Sequence, residues 1–414
     1  MKKLTSLFVT CAMALTLVAC SGGGTAPAPA ASGGASSGQE AAAGTSTGSA
    51  DAAGTIVIGV YEPQSGDNGA GGKQEILGMQ YANAITPTVE VGGETYNVEL
   101  VIADNESSND KAVSAATKLV SSGAAVVLGS YGSGVSIAGS DTFAEAGIPV
   151  IGVTCTNPQV TEGNEHYFRI CFLDPFQGTV LANFAQEGLG ATNAYCIGML
   201  GNDYDQGLIN YFKSAAEGLG MTVMTESFPD GNSDFTSYLT NAKNAGAEVI
   251  FAPCSINYAQ LIIEQANAQG IDIPLLAGDT WDSNVILSAA EGTNVDINIT
   301  TFYAEGGDPE FETGFKEWIN GDSTNLANNG GNDMISAVSV MGYDAYYTAL
   351  EAIKNAGSAD PAAIMAALPT TTYTGVSGAI AFDDIGDAVR DSAYIKKANT
   401  ETAVWDFVAV QTAK

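Results

Sequence analysis

Ala125-Val126-Val127-Leu128, running into Gly129-Ser130-Tyr131-Gly132-Ser133-Gly134, is the stretch that decides the fold class. Four consecutive apolar residues read as a short strand buried on both faces. The small, hydroxyl-bearing turn that follows opens a helix over residues 135–146. Strand, tight turn and helix form the repeating unit of a parallel α/β sheet. The unit recurs in both directions. Residues 56–60, 98–102 and 148–151 read as further strands, with helices over 73–83 and 110–120. Near-continuous apolar strands separated by helices predict a sheet covered on both faces.

The pattern then repeats. Residues 194–198, 221–226, 249–251 and 274–276 read as strands, and 206–219, 235–244 and 258–268 as helices. The 360 residues from 55 to 414 exceed what one core usually organises, so two α/β lobes in tandem are expected. The C-terminal part, with a helix over about 337–356, must be shared between them. The natural functional location is the cleft facing the carboxyl ends of both sheets.

The N-terminus reads as an address. Lys2 and Lys3 precede a short, interrupted apolar run that ends in Leu17-Val18-Ala19-Cys20. Small residues before a cysteine at that place resemble a bacterial lipobox. The resemblance implies a signal peptide over 1–19, cleavage before Cys20 and a lipid on its thiol. Residues 21–54 are Gly, Ser, Ala, Thr and Pro with almost nothing to bury, which predicts a flexible tether. Its root-mean-square span is roughly 30 Å on flexible-chain scaling.

Formal net charge is −32, and loss of the two positive charges at Lys2 and Lys3 takes it to −34. Such a chain does not suit nucleic acid, whose phosphates need a basic surface. Cys155, Cys171, Cys196 and Cys254 sit in or beside apolar runs, widely spaced. They read as buried free thiols, with a disulfide left open outside the cytoplasm. No metal is expected, because close-spaced ligands are lacking and His166 is the sole histidine.

Four loops follow strand ends: Pro63-Gln64-Ser65-Gly66, residues 129–134, Thr154-Cys155-Thr156-Asn157-Pro158, and Ala277-Gly278-Asp279-Thr280-Trp281-Asp282. At the second, free backbone N–H groups and the positive end of a helix dipole favour an anion, and Ser133 adds a hydroxyl. Asp279 follows an apolar strand and could pair an ammonium across the cleft. Tyr204, in Asn202-Asp203-Tyr204-Asp205, could wall the site. Each feature also has a plain reading as a turn or helix-cap residue.

His166-Tyr167-Phe168-Arg169, with Asp174, Gln177 and Gly178 after it, resembles the lobe-to-lobe crossover of the leucine/isoleucine/valine-binding family. Asp234-Phe235 before a helix and Gly278-Asp279 before Trp281 add to the likeness, which weakens after about residue 310. The resemblance implies a periplasmic-binding-protein type I fold, α/β, with two doubly wound, parallel-rich lobes joined by three crossover strands. Lobe one would hold 55–174 with about 303–390, and lobe two 175–302 with about 391–414. By position, Ser133 would bond a ligand carboxylate, and Thr156 would give it a backbone N–H. The Thr156 hydroxyl and the Cys155 carbonyl would meet the ammonium, and Asp279 would be its ionic partner. Tyr204 would close the second-lobe wall, with Trp281 and Phe302 as side-chain pocket walls. Gly71 falls where the family commonly has an aromatic against the ligand, which predicts an enlarged pocket. Gly132 and Ser107 stand where some members carry a disulfide.

The function so implied is an extracytoplasmic solute-binding lipoprotein of an ABC importer. It would be a monomer held to the membrane by a lipid on Cys20, capturing an amino acid, branched-chain or otherwise apolar, for a permease and its ATPase subunits. The alternatives are a ligand-sensing receptor component and a binder of an amide, urea-like or aromatic-acid solute. Catalysis is not expected, since no nucleophile–base pairing, P-loop or dinucleotide fingerprint is present, and no cofactor is implied.

Overall fold

A computed structural model describes residue 49 and residues 51–412. The expected signal segment, Cys20 and most of the tether lie outside the described residues.

Strands β1 (Thr55–Glu62), β2 (Thr88–Val91), β3 (Glu94–Asp104), β4 (Val126–Gly129), β5 (Val150–Gly152) and β6 (Tyr167–Arg169) form one sheet in the order β2-β3-β1-β4-β5-β6. Every pair but β2–β3 is parallel. A second sheet takes β7 (Asn193–Met199), β8 (Thr222–Phe228), β9 (Val249–Phe251), β10 (Leu275–Ala277) and β11 (Ile297–Thr301), parallel in the order β11-β10-β9-β7-β8. After a separate hairpin, β12 (Thr372–Gly375) and β13 (Gly378–Ala381), strands β14 (Ala393–Asn399) and β15 (Val404–Gln411) extend the second sheet antiparallel beside β11.

Helices fill the crossovers: α1 (Gly69–Ile85), α2 (Asn109–Ser121), α3 (Ser133–Ala146), α4 (Asp174–Asn183), α5 (Asp203–Gly218), α6 (Thr236–Asn244), α7 (Ile256–Gln269) and α8 (Asn284–Ala290). Then follow α9 (Pro309–Asn320), α10 (Ser323–Asn328), α11 (Ala337–Ala356) and α12 (Pro361–Ala367). No helix among the described residues is long and apolar enough to cross a membrane.

Each sheet reverses its strand order at one place, beside β1 in the first and beside β7 in the second. Loops leaving carboxyl ends there diverge and open a crevice. The chain passes between the two sheets three times: after β6 into β7, after β11 back to α11 against α1, and after β13 into β14.

The α1–α11 contact depends on two glycines. A Cβ on Gly78 would lie 1.8 Å from the Ser339 carbonyl oxygen, and one on Gly342 would lie 2.2 Å from that of Glu75. The two backbones therefore touch, and α11 carries Met341, Ala345, Ala349 and Ile353 into the main core. Its N-terminal Val338 belongs to the apolar cluster of the second sheet.

The alternation of strands and helices matches the sequence reading closely. The β2–β3 hairpin was not foreseen. Its two-residue turn, Gly92-Gly93, has φ of 61° and 90° at its centre, which glycine tolerates and which suits the twist of a tight hairpin. All four interior cysteines are buried and unpaired.

Candidate functional site

The crevice lies where the two sheets' carboxyl ends meet. Its volume is about 580 Å³ counted with its open mouth. From the first sheet it is lined by Pro63, Asp67 and Asn68 after β1, Ser107 and Asn109 after β3, and Tyr131 to Val135 after β4. From the second come Met199, Asn202 and Tyr204 after β7, Ser255 after β9, and Thr280 after β10.

Five helices begin at this crevice. Two of them, α1 with Asn68 at its cap position and α2 starting at Asn109, have no side-chain cap bond, and the first N–H groups of the other three are treated differently. At α5 the Asn202 side chain accepts from the backbone N–H of Tyr204 and Asp205. At α7 the cap comes from across the crevice. Asn68 Oδ1 accepts from Ile256 N at 3.1 Å, its Nδ2 donates to Ser255 Oγ at 3.2 Å, and the Asp67 carbonyl accepts from Asn257 N at 3.2 Å. At α3 the Gly132 cap position offers no side chain. Ser133, Gly134 and Val135, the first three residues of this helix, all line the crevice. A helix start without a cap presents free donors and a partial positive charge. Ser133 Oγ accepts from Asn157 N at 3.2 Å, which leaves its own proton free to donate.

Opposite stands a carboxylate. Asp279 opens a short 3₁₀ turn, Asp279–Trp281, after the fully buried β10. Its Oδ1 accepts from Gln177 Nε2 at 2.7 Å and from the Tyr204 hydroxyl at 2.9 Å. Among the described residues no basic side chain pairs with it. Burial pushes its carboxyl up to about 6, against the pull of those two hydrogen bonds. Asp279 is buried and bonded to Tyr204, which lines the crevice.

Around it lie buried polar atoms without a hydrogen-bond partner among the described residues: Thr156 Oγ1, both carboxyl oxygens of Asp174, and Gln177 Oε1. Burial pushes Asp174 up to about 8. Deeper in the first wall, Glu62 Oε2 accepts from Tyr131 N at 2.6 Å, and Glu75 Oε2 accepts from Thr154 Oγ1 at 2.6 Å. Burial raises both carboxyls, Glu75 to about 7 and Glu62 well above the usual carboxylate range, with each the other's close neighbour. Among the described residues no cluster of His, Cys, Asp or Glu is arranged to hold a metal ion.

The foreseen residues separate into two groups. Ser133 and Tyr204 line the crevice, and Asp279 is bonded to Tyr204. Thr156 is fully buried, its hydroxyl unpartnered. The other three stand back from the crevice lining. The Cys155 carbonyl accepts from Arg169 Nη1 at 2.9 Å. That guanidinium also holds the Asn157 carbonyl, Thr161 Oγ1 and Asp387, so Arg169 fixes the loop carrying Thr156. Trp281 is fully buried and donates its indole N–H to the Cys254 carbonyl at 2.9 Å. Phe302 packs on Phe172, with ring centroids 4.3 Å apart. Both aromatics support walls from behind, as apolar residues after core strands commonly do.

Gly71 does not enlarge the pocket as expected. A Cβ there would lie 2.4 Å from Tyr131 Cζ, so the Tyr131 ring fills the space. Tyr131, Glu62, Glu75 and the Asp67–Asn68 pair escaped the sequence reading. Glu62 carried a usable signal, the one that drew attention to Asp279: a carboxylate ending an apolar strand. The cross-crevice cap at α7 had no local signal, since Asn68 and Ser255 are 187 residues apart.

Comparison with known proteins agrees with this architecture. The chain is 29% identical over 338 residues to Leu/Ile/Val-binding protein homolog 1 of Brucella suis biovar 1 (strain 1330), a match covering 80% of this chain and 87% of that protein. The crystal structure of a leucine binding protein from Thermotoga maritima MSB8 superposes with a TM-score of 0.75 at 30% identity, covering 86% of this chain and 99% of that one. An ABC-transporter solute binding protein from R. palustris, in complex with benzoate, shares the fold at 19% identity, with a TM-score of 0.73 and coverage of 87% and 97%. The sequence pattern of the periplasmic binding protein family matches residues 55–402. With its two parallel sheets, their facing carboxyl ends and the crevice between them, the chain belongs to the periplasmic binding protein family.

Proposed function

We propose that this protein captures an amino acid with an apolar side chain between two closing lobes, outside the cytoplasm, and delivers it to the permease of an ABC importer. The lobes are 55–174 with about 303–390, and 175–302 with about 391–414. A lipid on Cys20 anchors a monomer to the membrane, and the tether after it lets the lobes reach the permease. One contrast carries the ligand class: a helix start without a cap on one wall, and a buried carboxylate without a cation on the other. A zwitterion supplies what each lacks.

The uncapped start of α3 and the Ser133 hydroxyl take the carboxylate. Asp279, oriented by Gln177 and Tyr204, takes the ammonium, with Thr156 Oγ1 as a second acceptor. Charge-assisted hydrogen bonds of this kind contribute about 1.5–3 kcal/mol each. Because the two charges are met from opposite walls, the full set of contacts exists only in the closed form, and binding shifts the population towards it. Calorimetry on Asp279→Ala tests the assignment. A loss of at least tenfold in affinity for every amino acid that binds is expected; unchanged affinity removes the ammonium site.

A further inference from the structure

Tyr131 leaves the first wall and reaches the second. Its backbone N–H is fixed by Glu62 Oε2, and its hydroxyl donates to the Thr280 carbonyl at 2.7 Å, next to Asp279. The ring is 5% exposed and belongs to the apolar cluster of the second sheet, with Trp281, Cys254 and Val338. It can lie there because residue 71 is glycine. A side chain at 71 would begin 2.4–2.7 Å from Cζ, Cε2 and the hydroxyl. The residue is anchored at both ends, and its ring is seated on bare backbone.

The same residue links the two walls that carry Ser133 and Asp279. Tyr131 is two residues from Ser133 and is bonded to the carbonyl adjoining Asp279. A solute gripped between residues 133 and 279 therefore lies beside it, with Tyr131 as the wall its side chain meets. We infer that Tyr131 is a size gate and a latch: it restricts the crevice to amino acids of alanine-to-valine size and closes the two walls on them. A leucine or phenylalanine side chain would have to displace the ring, break its bond to Thr280 and expose buried apolar surface. This inference rests on the amino-acid reading above.

Isothermal titration of the purified protein with alanine, valine, leucine and phenylalanine tests it, on wild type and on Y131A, Y131V and Y131F. Wild type is expected to bind alanine or valine at least tenfold tighter than leucine and phenylalanine. Y131A and Y131V should shift that ratio at least tenfold towards the larger pair. Y131F keeps the ring and loses the Thr280 bond, so it should keep the size order while weakening every ligand several-fold. A wild type that prefers leucine or phenylalanine overturns the gate, as does an unchanged order in Y131V, which keeps a buried apolar side chain if Y131A does not fold. Binding of none of the four to any form would overturn the amino-acid reading itself, a distinct failure.

Discussion

Asp279 and Asp282 stand three residues apart in one turn, both buried, and the molecule treats them in opposite ways. Asp282 has its own cation: Lys396 Nζ on β14 lies 2.9 Å from Oδ2, with both side chains at 2% exposure or less. Thr301 Oγ1 and the backbone N–H of Ala337 add to the same oxygen. It thereby joins β11, β14 and the start of α11. Asp279 has two neutral donors on one oxygen and, among the described residues, no cation. A buried charge is tolerated when paired, and shifts its pKa when it is not. Asp282 ties parts of the fold together; Asp279 is the carboxylate that the proposed function assigns to a ligand ammonium.

Breaking the Asp282 pair should give the largest effect. Lys396→Met strands a buried carboxylate, and a loss of about 3–5 kcal/mol in unfolding free energy is expected from urea titration. A loss below about 1 kcal/mol would show that Asp282 needs no cation, and the contrast would fail.

Asp279→Asn should do the reverse. Unfolding free energy should hold or rise, since an unpaired buried charge is removed, while amino-acid affinity falls about tenfold to a hundredfold, the equivalent of about 1.5–3 kcal/mol. A strongly destabilised Asp279→Asn would place this residue in the structural class with Asp282.

Acidification should separate stability from binding. Asp279, Glu75, Asp174 and Asp205 have folded pKa values raised by burial to about 6, 7, 8 and 8. Each is above its unfolded value, so the folded state binds more protons between about pH 4 and pH 8, and these groups make stability fall as pH rises through that window. The midpoint of thermal unfolding should therefore be higher at pH 5.5 than at pH 8. Amino-acid affinity should move the other way, weakening as pH drops through about 6 and Asp279 takes a proton. Parallel trends in stability and affinity would contradict the assignment of Asp279 as the ammonium partner.

The smallest effect concerns the borrowed helix cap. Asn68→Ala removes the acceptor for Ile256 N and the donor to Ser255, contacts that join the two walls. Water replaces much of a lost cap, so a several-fold fall in affinity is expected, with faster ligand release in stopped-flow fluorescence. An unchanged release rate would mean that the α7 start does not help keep the crevice shut.

The order of strands and helices was legible because it is written in local periodicity: apolar runs such as Val126-Val127-Leu128, then turn, then helix. The place of the α3 start was legible too, as a strand followed by small residues. What stayed hidden depends on pairs distant in sequence. Gly71 looked like lost apolar surface, because nothing near it reveals that the ring of Tyr131, sixty positions on, fills the gap. Trp281 and Phe302 were drawn towards the pocket by their place after core strands. Strand alternation alone does not say which face of a loop meets the crevice and which meets the core. The cation for Asp282 could not be foreseen from its neighbours, since Lys396 comes from a strand 114 residues away.

The central claim is that opposite charges of one small solute are met by opposite walls. Titration calorimetry with valine, its decarboxylated amine and its deaminated acid tests this most directly. Valine should bind at least a hundredfold tighter than either analogue, and Asp279→Asn should erase its advantage over the deaminated acid alone. A deaminated acid that binds wild type as tightly as valine would contradict the claim and leave only the α3 end of the grip.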